Sequence, residues 1–536
     1  MAGPRTPEQR DATNDALQAL TGFINTSSLL DLANRFAETY TDLAKTSTDH
    51  FLVTPVTALP TGKEKGKFLS IDVGGTNLRV GFVELVGELD EPATSVHESD
   101  MNGRDVFAKI KRSHEKNWPI GDHLKMDHAE DLFAWIGDCI AEVVEDALED
   151  APVTEGMESA LGEELLLGIT FSFPMAQTRL SEATLLPMGK GFAITSDLNL
   201  GKMLLAAYAR HCVDPTTNGE SKKSKRSRLP RIRVAAITND TVATFASLAY
   251  AVKAAPNSRV AMGLIVGTGT NATVPMKLND LHPAKRKYLS NPDAVDTVVI
   301  NTEWTIRGTD KPLIDLNIKT SWDLTLDANS EAPGFQPFEY LTAGRYLGEI
   351  VRLVFVDIAS RQPGGDVPPL LLSKNAILTR FLSEVVARAD DVTLTKALET
   401  QYPAINPSTP FWTSTRVKSI RDIAHAVQQR SSALIAAACV GLLKCVRDIE
   451  IDHTPKPGTN GKNTSAGAEH DKEELVIAYA GGTISQYPQW LETCQTWIDI
   501  LVKEGSKANA SKRVVLKEAL NGGIIGAGVL AGMGID

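Results

Sequence analysis

Apolar residues recur at helical spacing from Ala16 onward, and the pattern predicts two amphipathic helices preceded by a flexible N-terminus, residues 1–15. The spacing then changes to that of strands. The segment FLSIDVGGTNLRVGFVELVG predicts a strand, a glycine turn and a second strand. The same plan returns in RVAMGLIVGTGTNATVPM, which begins at Arg259. Two such hairpins predict two related α/β halves that face each other across a cleft.

The rest of the chain alternates helical and strand patterns. HAEDLFAWIGDCIAEVVEDAL predicts an amphipathic helix, ELLLGITFSFP a buried strand, and RIRVAAITNDTVATFASLAYAV a strand, a turn and a helix. Helices fill most of 338–450, and ELVIAYAGG predicts a late strand. Polar composition predicts inserted mobile loops at 215–229 and 455–473.

A chain of 536 residues is too long for one hydrophobic core, so these elements predict two lobes. We expect a small lobe over 67–236, to which a C-terminal helix at 519–536 returns. The large lobe is expected over 16–66 and 237–518.

Composition narrows the function classes. The net charge of −11 disfavours general nucleic-acid binding, and no stretch approaches 18 consecutive apolar residues, so no membrane span is expected. Five cysteines without metal-ligand spacing, in a chain without a secretory pattern, indicate reduced thiols and a cytoplasmic protein. One basic run, Lys222–Arg233, is either a solvated loop or a nuclear import signal.

The first hairpin turn, Asp72 to Asn77 with Arg79 beyond it, has the composition of a phosphate site. Glycines allow close backbone approach, successive N–H groups form an anion nest, and an aspartate at a strand end holds Mg²⁺ through water. A tight hairpin with ordinary turn glycines and no ligand would have the same sequence. The second turn, Gly267 to Asn271, repeats the pattern, and the pair together favours a nucleotide-binding protein.

Other nucleotide motifs do not fit the chain. The P-loop pattern GxxxxGK[ST] is absent from the sequence. Gly526-Ala527-Gly528 lacks the third glycine of a dinucleotide turn, and the chain ends before a ribose-binding acid could follow.

Asn239 and Asp240 follow an apolar strand, where a carboxylate can accept the proton of a hydroxyl during phosphoryl transfer. The same residues are typical helix N-caps, and the two roles are compatible. Glu303 and Glu339 are further candidates, because one carboxylate can accept hydrogen bonds from two adjacent sugar hydroxyls. Considered alone, each glutamate is more typical of a solvated surface acid than of a sugar contact.

Together these segments resemble the eukaryotic hexokinases, and within them a divergent, atypical fungal member, from about Ala16 to Gly534. The stretches that carry the resemblance are LPTGKEKGKFLSIDVGGTNLRV, LGITFSFP, ITNDTVATFAS, GLIVGTGTNA, INTEWTIRG and FEYLTAGRYLGEIVR. The resemblance implies an actin-like ATPase (ribonuclease H-like) α/β fold with two lobes around a deep cleft. It also implies transfer of the γ-phosphoryl group of ATP to the 6-hydroxyl of a hexose.

The resemblance carries over to individual positions, with Asp240 as the catalytic base. The implied sugar contacts are Ser172, Lys190, Asn239, Asn271, Glu303, Gln336 and Glu339. The implied contacts to ATP are Asp72, Gly74, Gly75, Thr76, Asn77, Arg79, Thr268, Gly269, Gly522 and Gly523, with Asp72 also near Mg²⁺ through water.

Three departures from the family pattern bear on activity. The family's Trp-Thr-Lys-Gly-Phe is Met188-Gly189-Lys190-Gly191-Phe192 here, so Gly189 lacks the threonine hydroxyl that would contact the sugar. The loss of one neutral hydrogen bond would weaken sugar binding about 2- to 12-fold. Val-Gly-Thr is Val242-Ala243-Thr244, which adds a methyl near the expected cleft floor. Asp-Gly-Ser-Gly is Asn521-Gly522-Gly523-Ile524, which removes an acid and a hydroxyl near the nucleotide and adds a β-branched side chain.

The main interpretation is an active hexokinase with ATP and Mg²⁺ as cofactors. Two alternatives stay open at this point. Extra room at Gly189 suits a kinase of N-acetylglucosamine or another amino sugar. The altered turns also suit a weak or inactive hexokinase-like regulatory, sugar-sensing protein, of the kind known in filamentous fungi, which would have protein partners.

Overall fold

The computed structural model describes most of the chain, and every structural statement below concerns these residues. The described ranges are 7–87, 109–121, 123–126, 129–150, 161–172, 175–185, 198–212, 229–252, 257–362, 366–406, 408–452 and 472–534. Lys190 and the segment 222–228 lie outside them.

The described residues form the following strands and helices. The strands are β1 Leu52–Val53, β2 Gly66–Val73, β3 Asn77–Leu85, β4 Ile110–Pro119, β5 Glu164–Phe171, β6 Met175–Arg179, β7 Glu182–Leu185, β8 Leu198–Asn199, β9 Arg231–Thr238, β10 Ser258–Val266, β11 Thr270–Lys277, β12 Thr297–Asn301, β13 Glu473–Ala480 and β14 Lys512–Glu518. The helices are α1 Pro7–Thr21, α2 Thr26–Thr46, α3 His123–Met126, α4 Ala129–Glu149, α5 Leu200–Ala209, α6 Asp240–Val252, α7 Lys311–Asp315, α8 Ser321–Ala328, α9 Glu339–Thr342, α10 Gly344–Ser360, α11 Pro369–Leu372, α12 Thr379–Phe381, α13 Asp391–Gln401, α14 Ser414–Cys445, α15 Gly482–Gln486, α16 Trp490–Gly505 and α17 Gly522–Met533.

The chain folds into two compact units. The first unit comprises the described parts of Met1–Phe51, Ile265–Ala272 and Thr302–Leu516. The second unit comprises those of Leu52–Leu264, Thr273–Asn301 and Lys517–Asp536. The lobes predicted from the sequence, with bounds at 67–236 and 237–518, divide the chain differently and remain a prediction.

A five-stranded sheet with the order β4-β3-β2-β5-β9 organises the second unit. β2 pairs antiparallel with β3, as the first hairpin predicts, and parallel with β5, which in turn pairs parallel with β9. The buried apolar residues Leu69, Ile71 and Val73 alternate along β2 with two polar residues, the buried Ser70 and the half-buried Asp72. The apolar residues join a core that includes Phe133 and Ile136 of α4. The strand pattern of the sequence therefore forms a sheet whose parallel strands end on one edge.

Helix α14 is the central helix of the first unit. It packs against α2, α10 and α16, and most of its side chains are buried. Among the described residues, α14 is the one helix with the length and apolar character to cross a membrane, but 94% of its most apolar window is buried inside the protein. That burial is what a core helix shows.

The N-terminal region differs from its prediction. Helix α1 begins at Pro7, and Thr13 within the stretch predicted to be flexible is buried at 1% exposure. Amphipathic packing of α1 on α14 provides the ordering that polar composition alone did not indicate. The predicted loops 215–229 and 455–473 lie outside the described residues except at their ends, where Leu229 is buried and β13 begins at Glu473.

Candidate active site

Three parallel strands of the second unit end at the same edge of the sheet. Val73 ends β2, Phe171 ends β5 and Thr238 ends β9. Ser172 follows β5 directly, and its N–H donates to the carbonyl of Val73 at 3.0 Å. Because ligands of open α/β sheets bind beyond the carboxyl ends of the strands, this edge is where chemistry is expected.

The first glycine turn joins β2 to β3 at this edge. The Gly74 N–H donates to the Asn77 carbonyl at 2.9 Å, which closes the turn. The Asn77 amide donates to the Thr76 hydroxyl at 3.0 Å, and the Thr76 carbonyl accepts from Ile120 N–H at 2.8 Å. Gly75, Thr76 and Asn77 are exposed. The turn is therefore held by hydrogen bonds to the protein, while its outer face is open to solvent.

Gly75 is not a glycine that folding requires. A Cβ atom at this position would meet no atom within 4 Å, and Gly75 does not have the positive φ that favours glycine. At Gly74 the nearest atom to such a Cβ would be 3.4 Å away, an ordinary contact. Open space in front of two unforced glycines is what close approach by a ligand would require.

Asn239 and Asp240 connect β9 to helix α6. The Asn239 side-chain oxygen accepts from Val242 N–H at 2.9 Å and from the Thr241 hydroxyl at 3.0 Å, so Asn239 caps the helix. One oxygen of Asp240 accepts from Thr241 N–H at 2.9 Å. Both residues are half-buried. Capping therefore fixes the two side chains at the strand edge, and their predicted contacts to sugar remain a prediction.

Asp72 lies one residue before the end of β2, opposite Arg79 of β3. Burial raises the pKa of this carboxyl to about 6, while the Arg79 guanidinium lowers it and the charges of Asp240 and Glu115 raise it further. A carboxylate in the field of two other acids is well suited to a cation. Asp72 is half-buried beside the first turn, and its predicted position near hydrated Mg²⁺ remains a prediction.

The N-terminus of helix α17 approaches Asp72. The Gly523 carbonyl accepts from the Thr170 hydroxyl at 2.8 Å, and a Cβ on residue 523 would lie 2.2 Å from Oδ2 of Asp72. The serine expected from the family pattern could not fit here unless Asp72 moved. Ile524 is 1% exposed, so its side chain packs in the core and does not crowd a ligand as the sequence suggested.

Asn521 stands where the family pattern has an aspartate, and two arginines converge on it. Arg79 Nη1 donates to its side-chain oxygen at 3.3 Å. With the amide rotated, the same oxygen accepts from Nη1 and Nη2 of Arg112 at 2.9 and 3.2 Å. The sequence predicted that Arg79 contacts ATP, but it did not predict this hydrogen bond to Asn521, which gives Arg79 a structural role as well.

Ala243 corrects a further expectation. It is fully buried on α6, and a Cβ on Gly526 of α17 would lie 2.1 Å from its carbonyl oxygen. Ala243 therefore lies in the interface between α6 and α17, where glycine at 526 lets the two backbones touch. The sequence placed the added methyl of Ala243 near the cleft floor, whereas the structure places it between two packed helices.

The first unit contains the second glycine turn. Thr268 is exposed, while Gly267 and Gly269 are half-buried, and Gly267 N–H donates to the Gly269 carbonyl at 2.9 Å. The Gly267 carbonyl accepts from Gly344 N–H at 2.8 Å and from the Thr483 hydroxyl at 3.0 Å. Two separate segments thus hold the turn from behind.

Asn271 and Glu303, both predicted sugar contacts, meet in this unit. The Asn271 amide donates to Oε1 of Glu303 at 3.4 Å, and its oxygen accepts from the buried Thr302 hydroxyl at 3.2 Å. Glu303 has φ of 49°, a left-handed conformation that costs a non-glycine residue about 1–2 kcal/mol. Strained conformations of this kind concentrate at functional sites.

Glu339 is joined to the second turn. It is 2% exposed, and Oε2 accepts from Thr270 N–H at 3.2 Å. The rings of Trp304 and Phe338, the neighbours of the two glutamates, pack edge to face at 6.0 Å and are fully buried. Gln336 is half-buried one turn before, and its carbonyl accepts from Tyr340 N–H at 3.2 Å. Burial of Glu339 and its bond to Thr270 exclude a solvated surface acid at this position, and the half-buried Glu303 is held by the Asn271 amide.

Sequence reasoning missed a third glycine turn. Gly481-Gly482-Thr483 follows β13 as Gly74-Gly75-Thr76 follows β2, and the structure places it against Gly267. The repeated plan of apolar strand and Gly-Gly-Thr was available in the sequence as a signal. Lys190, the remaining predicted sugar contact, lies outside the described residues together with Gly189.

Comparison with known proteins shows the family. Two models of the hexokinase family, both described as hexokinase, match residues 18–250 and 261–533. The chain belongs to the hexokinase family. Hexokinase-2 of Oryza sativa subsp. japonica is 32% identical over 90% of this chain and 82% of its own length, and Hexokinase-2 of Solanum tuberosum is 30% identical over the same shares. These relatives are plant proteins and give no support to a fungal origin.

Solved structures confirm the predicted actin-like ATPase fold. The chain superposes on a hexokinase from Schistosoma mansoni complexed with glucose with a TM-score of 0.70, at 24% identity over 98% of this chain and 99% of the other. A second hexokinase crystal structure gives a TM-score of 0.67 at 22% identity, over 98% of this chain and all of the other.

Among the described residues, no group of three or more His, Cys, Asp or Glu side chains forms a metal cluster.

Proposed function

We propose that this hexokinase transfers the γ-phosphoryl group of ATP to the 6-hydroxyl of a hexose. The observation that carries the proposal is the pair Asn271–Glu303 together with the buried Glu339, both held by hydrogen bonds beside the second glycine turn. A polar set of amide and carboxylate groups on a rigid support suits a polyol, because each group can bind adjacent hydroxyls.

In the proposed reaction, Asp240 accepts the proton of the 6-hydroxyl as its oxygen attacks the γ-phosphorus, and ADP leaves. Its position at the start of α6, beside the cap formed by Asn239, supports this role. The exposed N–H groups of Gly75 and Thr76 would bind phosphate oxygens. A bound Mg²⁺ would neutralise phosphate charge, and Asp72 would hold it through water.

Phosphorylation of a panel of sugars tests the proposal. The protein is incubated with Mg·ATP and glucose, fructose, mannose, glucosamine or N-acetylglucosamine, and sugar phosphate and ADP are both measured. Asp240→Asn is the informative variant, because the amide oxygen can still accept from Thr241 N–H while the base is lost. Asp131→Asn, in the first turn of α4, is the matched control.

We expect Asp240→Asn to lower kcat by at least 100-fold, the usual contribution of a general base, and Asp131→Asn to leave it unchanged. Equal activity of Asp240→Asn and the parent chain would contradict the base assignment. Turnover confined to N-acetylglucosamine would identify an amino-sugar kinase. Binding of glucose without turnover of any sugar would identify a sugar-sensing protein instead.

We also propose a cytoplasmic location, with the basic run 222–233 tested as an import signal. Arg231 and Arg233 belong to β9, and Arg233 pairs with Glu164 at 3.0 Å, so deletion of the whole run would damage the sheet. The sharper variant changes the lysines and arginines of 222–228 to glutamine in a fluorescently tagged protein. Nuclear signal that is lost in this variant would support import, and unchanged distribution would support a solvated loop.

A further inference from the structure

The loop between α8 and α9 carries Gln336, one of the sugar contacts implied by the family resemblance. Residues 331–335 of this loop are exposed, Gln336 is half-buried, and Pro337 and Phe338 are buried. Exposed loops are more mobile than the elements they connect unless other residues hold them. Accurate placement of the Gln336 side chain therefore depends on what fixes the loop.

Tyr340 of α9 contacts this loop at three points. It is 2% exposed, and its hydroxyl donates to the Ala332 carbonyl at 2.8 Å. The Ser330 hydroxyl lies 3.0 Å from the same oxygen and donates to it, because the one phenol proton is already used for Ala332. The Tyr340 N–H donates to the Gln336 carbonyl at 3.2 Å. One residue thus holds the loop both at its beginning and at Gln336.

The ring of Tyr340 is itself fixed. It packs edge to face on Tyr346 of α10, with 4.9 Å between the ring centroids. Burial raises the pKa of Tyr340 above its ordinary value of 10.0, so the hydroxyl keeps its proton and remains a donor at neutral pH. A phenylalanine at 340 would keep the ring contact and the backbone bond and would lose only the hydroxyl.

Loss of this hydroxyl would leave the rest of the loop attached. The Ala332 carbonyl also accepts from Phe335 N–H at 3.1 Å, so it would keep a partner. The Phe335 carbonyl accepts from Arg307 N–H at 2.9 Å, which ties the loop to the segment that follows Glu303. The cost would be a less well-defined orientation of the loop, and the fold would persist.

We propose that Tyr340 is a positioning residue whose hydroxyl orients the loop so that the Gln336 side chain binds the sugar. The inference rests on the proposed function, since it assigns Tyr340 to the same sugar site. A selective effect follows. The loop serves the sugar, whereas the second glycine turn is held by other contacts, among them Gly344 N–H to the Gly267 carbonyl at 2.8 Å.

The test compares Tyr340→Phe with Tyr402→Phe. Tyr402 is a matched control, because it is also 2% exposed in the same unit and its hydroxyl donates to a backbone carbonyl, that of Ala376, at 2.8 Å. Tyr340→Phe is made both in the parent chain and in a Gln336→Ala chain. Glucose, fructose, mannose, glucosamine and N-acetylglucosamine are titrated by calorimetry without nucleotide, which needs no turnover. KM for the sugar, KM for ATP, kcat and Tm are measured on the same samples.

We expect Tyr340→Phe to raise Kd and KM for the sugar about 2- to 12-fold, the effect of one neutral hydrogen bond, with KM for ATP unchanged. In the Gln336→Ala chain the same change should lower kcat/KM for the sugar less than about 2-fold, because the side chain that Tyr340 positions is gone. Tyr402→Phe should leave sugar binding unaltered.

Unchanged sugar binding by Tyr340→Phe would overturn the inference, as would a parallel rise in KM for ATP, an equal loss in Tyr402→Phe or an equal loss in the Gln336→Ala chain. If the parent chain binds a sugar but phosphorylates none, while Tyr340→Phe still weakens that binding, the proposed function fails and the positioning role stands. A parent chain that binds none of the five sugars would overturn both.

Discussion

Gly523 leaves the space that the Asp72 carboxylate occupies. A Cβ atom on residue 523 would lie 2.2 Å from Oδ2 and 2.4 Å from Cγ of Asp72. The two residues lie on different elements, since Asp72 is in β2 and Gly523 is in the first turn of α17. Compared with the family pattern, glycine at 523 is the loss of a serine. The observed position of Asp72 requires that loss, because a serine side chain would occupy the same space.

Gly523→Ala should displace Asp72. The added methyl meets a carboxylate held on a sheet strand, so we expect a loss of unfolding free energy of about 1–3 kcal/mol, typical of overpacking. If Asp72 holds hydrated Mg²⁺, kcat/KM for Mg·ATP should fall as well. Chemical denaturation and steady-state kinetics measure the two effects. An unaltered free energy of unfolding would show that Asp72 moves without cost.

Gly75→Ala should separate function from folding. A methyl at residue 75 meets no protein atom within 4 Å, and replacement of an unstrained glycine stabilises by about 0.4–1 kcal/mol through the unfolded state. We expect Tm to stay level or rise while affinity for the nucleotide falls, because the methyl occupies the space that a phosphate would use. Nucleotide binding at parental strength would contradict the assignment of this turn to phosphate.

Asn521→Asp should restore an ion pair. An aspartate at 521 would lie within reach of Arg79 and, after rotation, of Arg112, and a partly exposed pair contributes about 0.2–1 kcal/mol. We expect a small rise in stability at low salt that disappears at high salt. Asn317→Asp is the control, since Asn317 also has a positive φ and is exposed. Equal effects of the two substitutions would mean that the arginines do not act on residue 521.

The sequence predicted the hairpins well because their signals are local. Alternating apolar residues and turn glycines specified β2 and β3, and their register places Asp72 opposite Arg79 as hairpin closure requires. The capping interpretation of Asn239 was local too and is confirmed by its bonds to Thr241 and Val242. Features set by residues adjacent in the chain could thus be predicted.

The consequences of the family departures could not be predicted, because they depend on contacts between distant segments. Ile524 was expected near the nucleotide and Ala243 near the cleft floor, yet both are buried in the packing of α17. Glu339 appeared to be a surface acid when considered alone, and its bond to Thr270 spans a long stretch of chain. Only the position of one helix against others decides such questions.

The stability of the protein should depend on pH through Asp72. Its pKa in the folded chain, about 6, lies above the ordinary value of 3.8, so between these values the folded state binds more protons than the unfolded state. Stability contributed by protonated Asp72 is therefore present at pH 4 and is lost as pH rises through 6. We expect Asp72→Asn to match the parent near pH 4 and to exceed it in unfolding free energy above pH 6.

Asp390→Asn is the control, with the opposite sign. Asp390 caps α13 and accepts from Thr393 N–H at 2.8 Å, and these hydrogen bonds lower its pKa. The stability that ionised Asp390 contributes is present at neutral pH and is lost on acidification. The Asn variant should therefore have a slightly lower free energy of unfolding than the parent at pH 7 and the same value at low pH. Denaturation curves from about pH 2 to pH 8 measure both variants, because the contribution of Asp390 is lost only below pH 3.8. Parallel curves for Asp72→Asn and the parent chain would show that folding does not raise the pKa of Asp72.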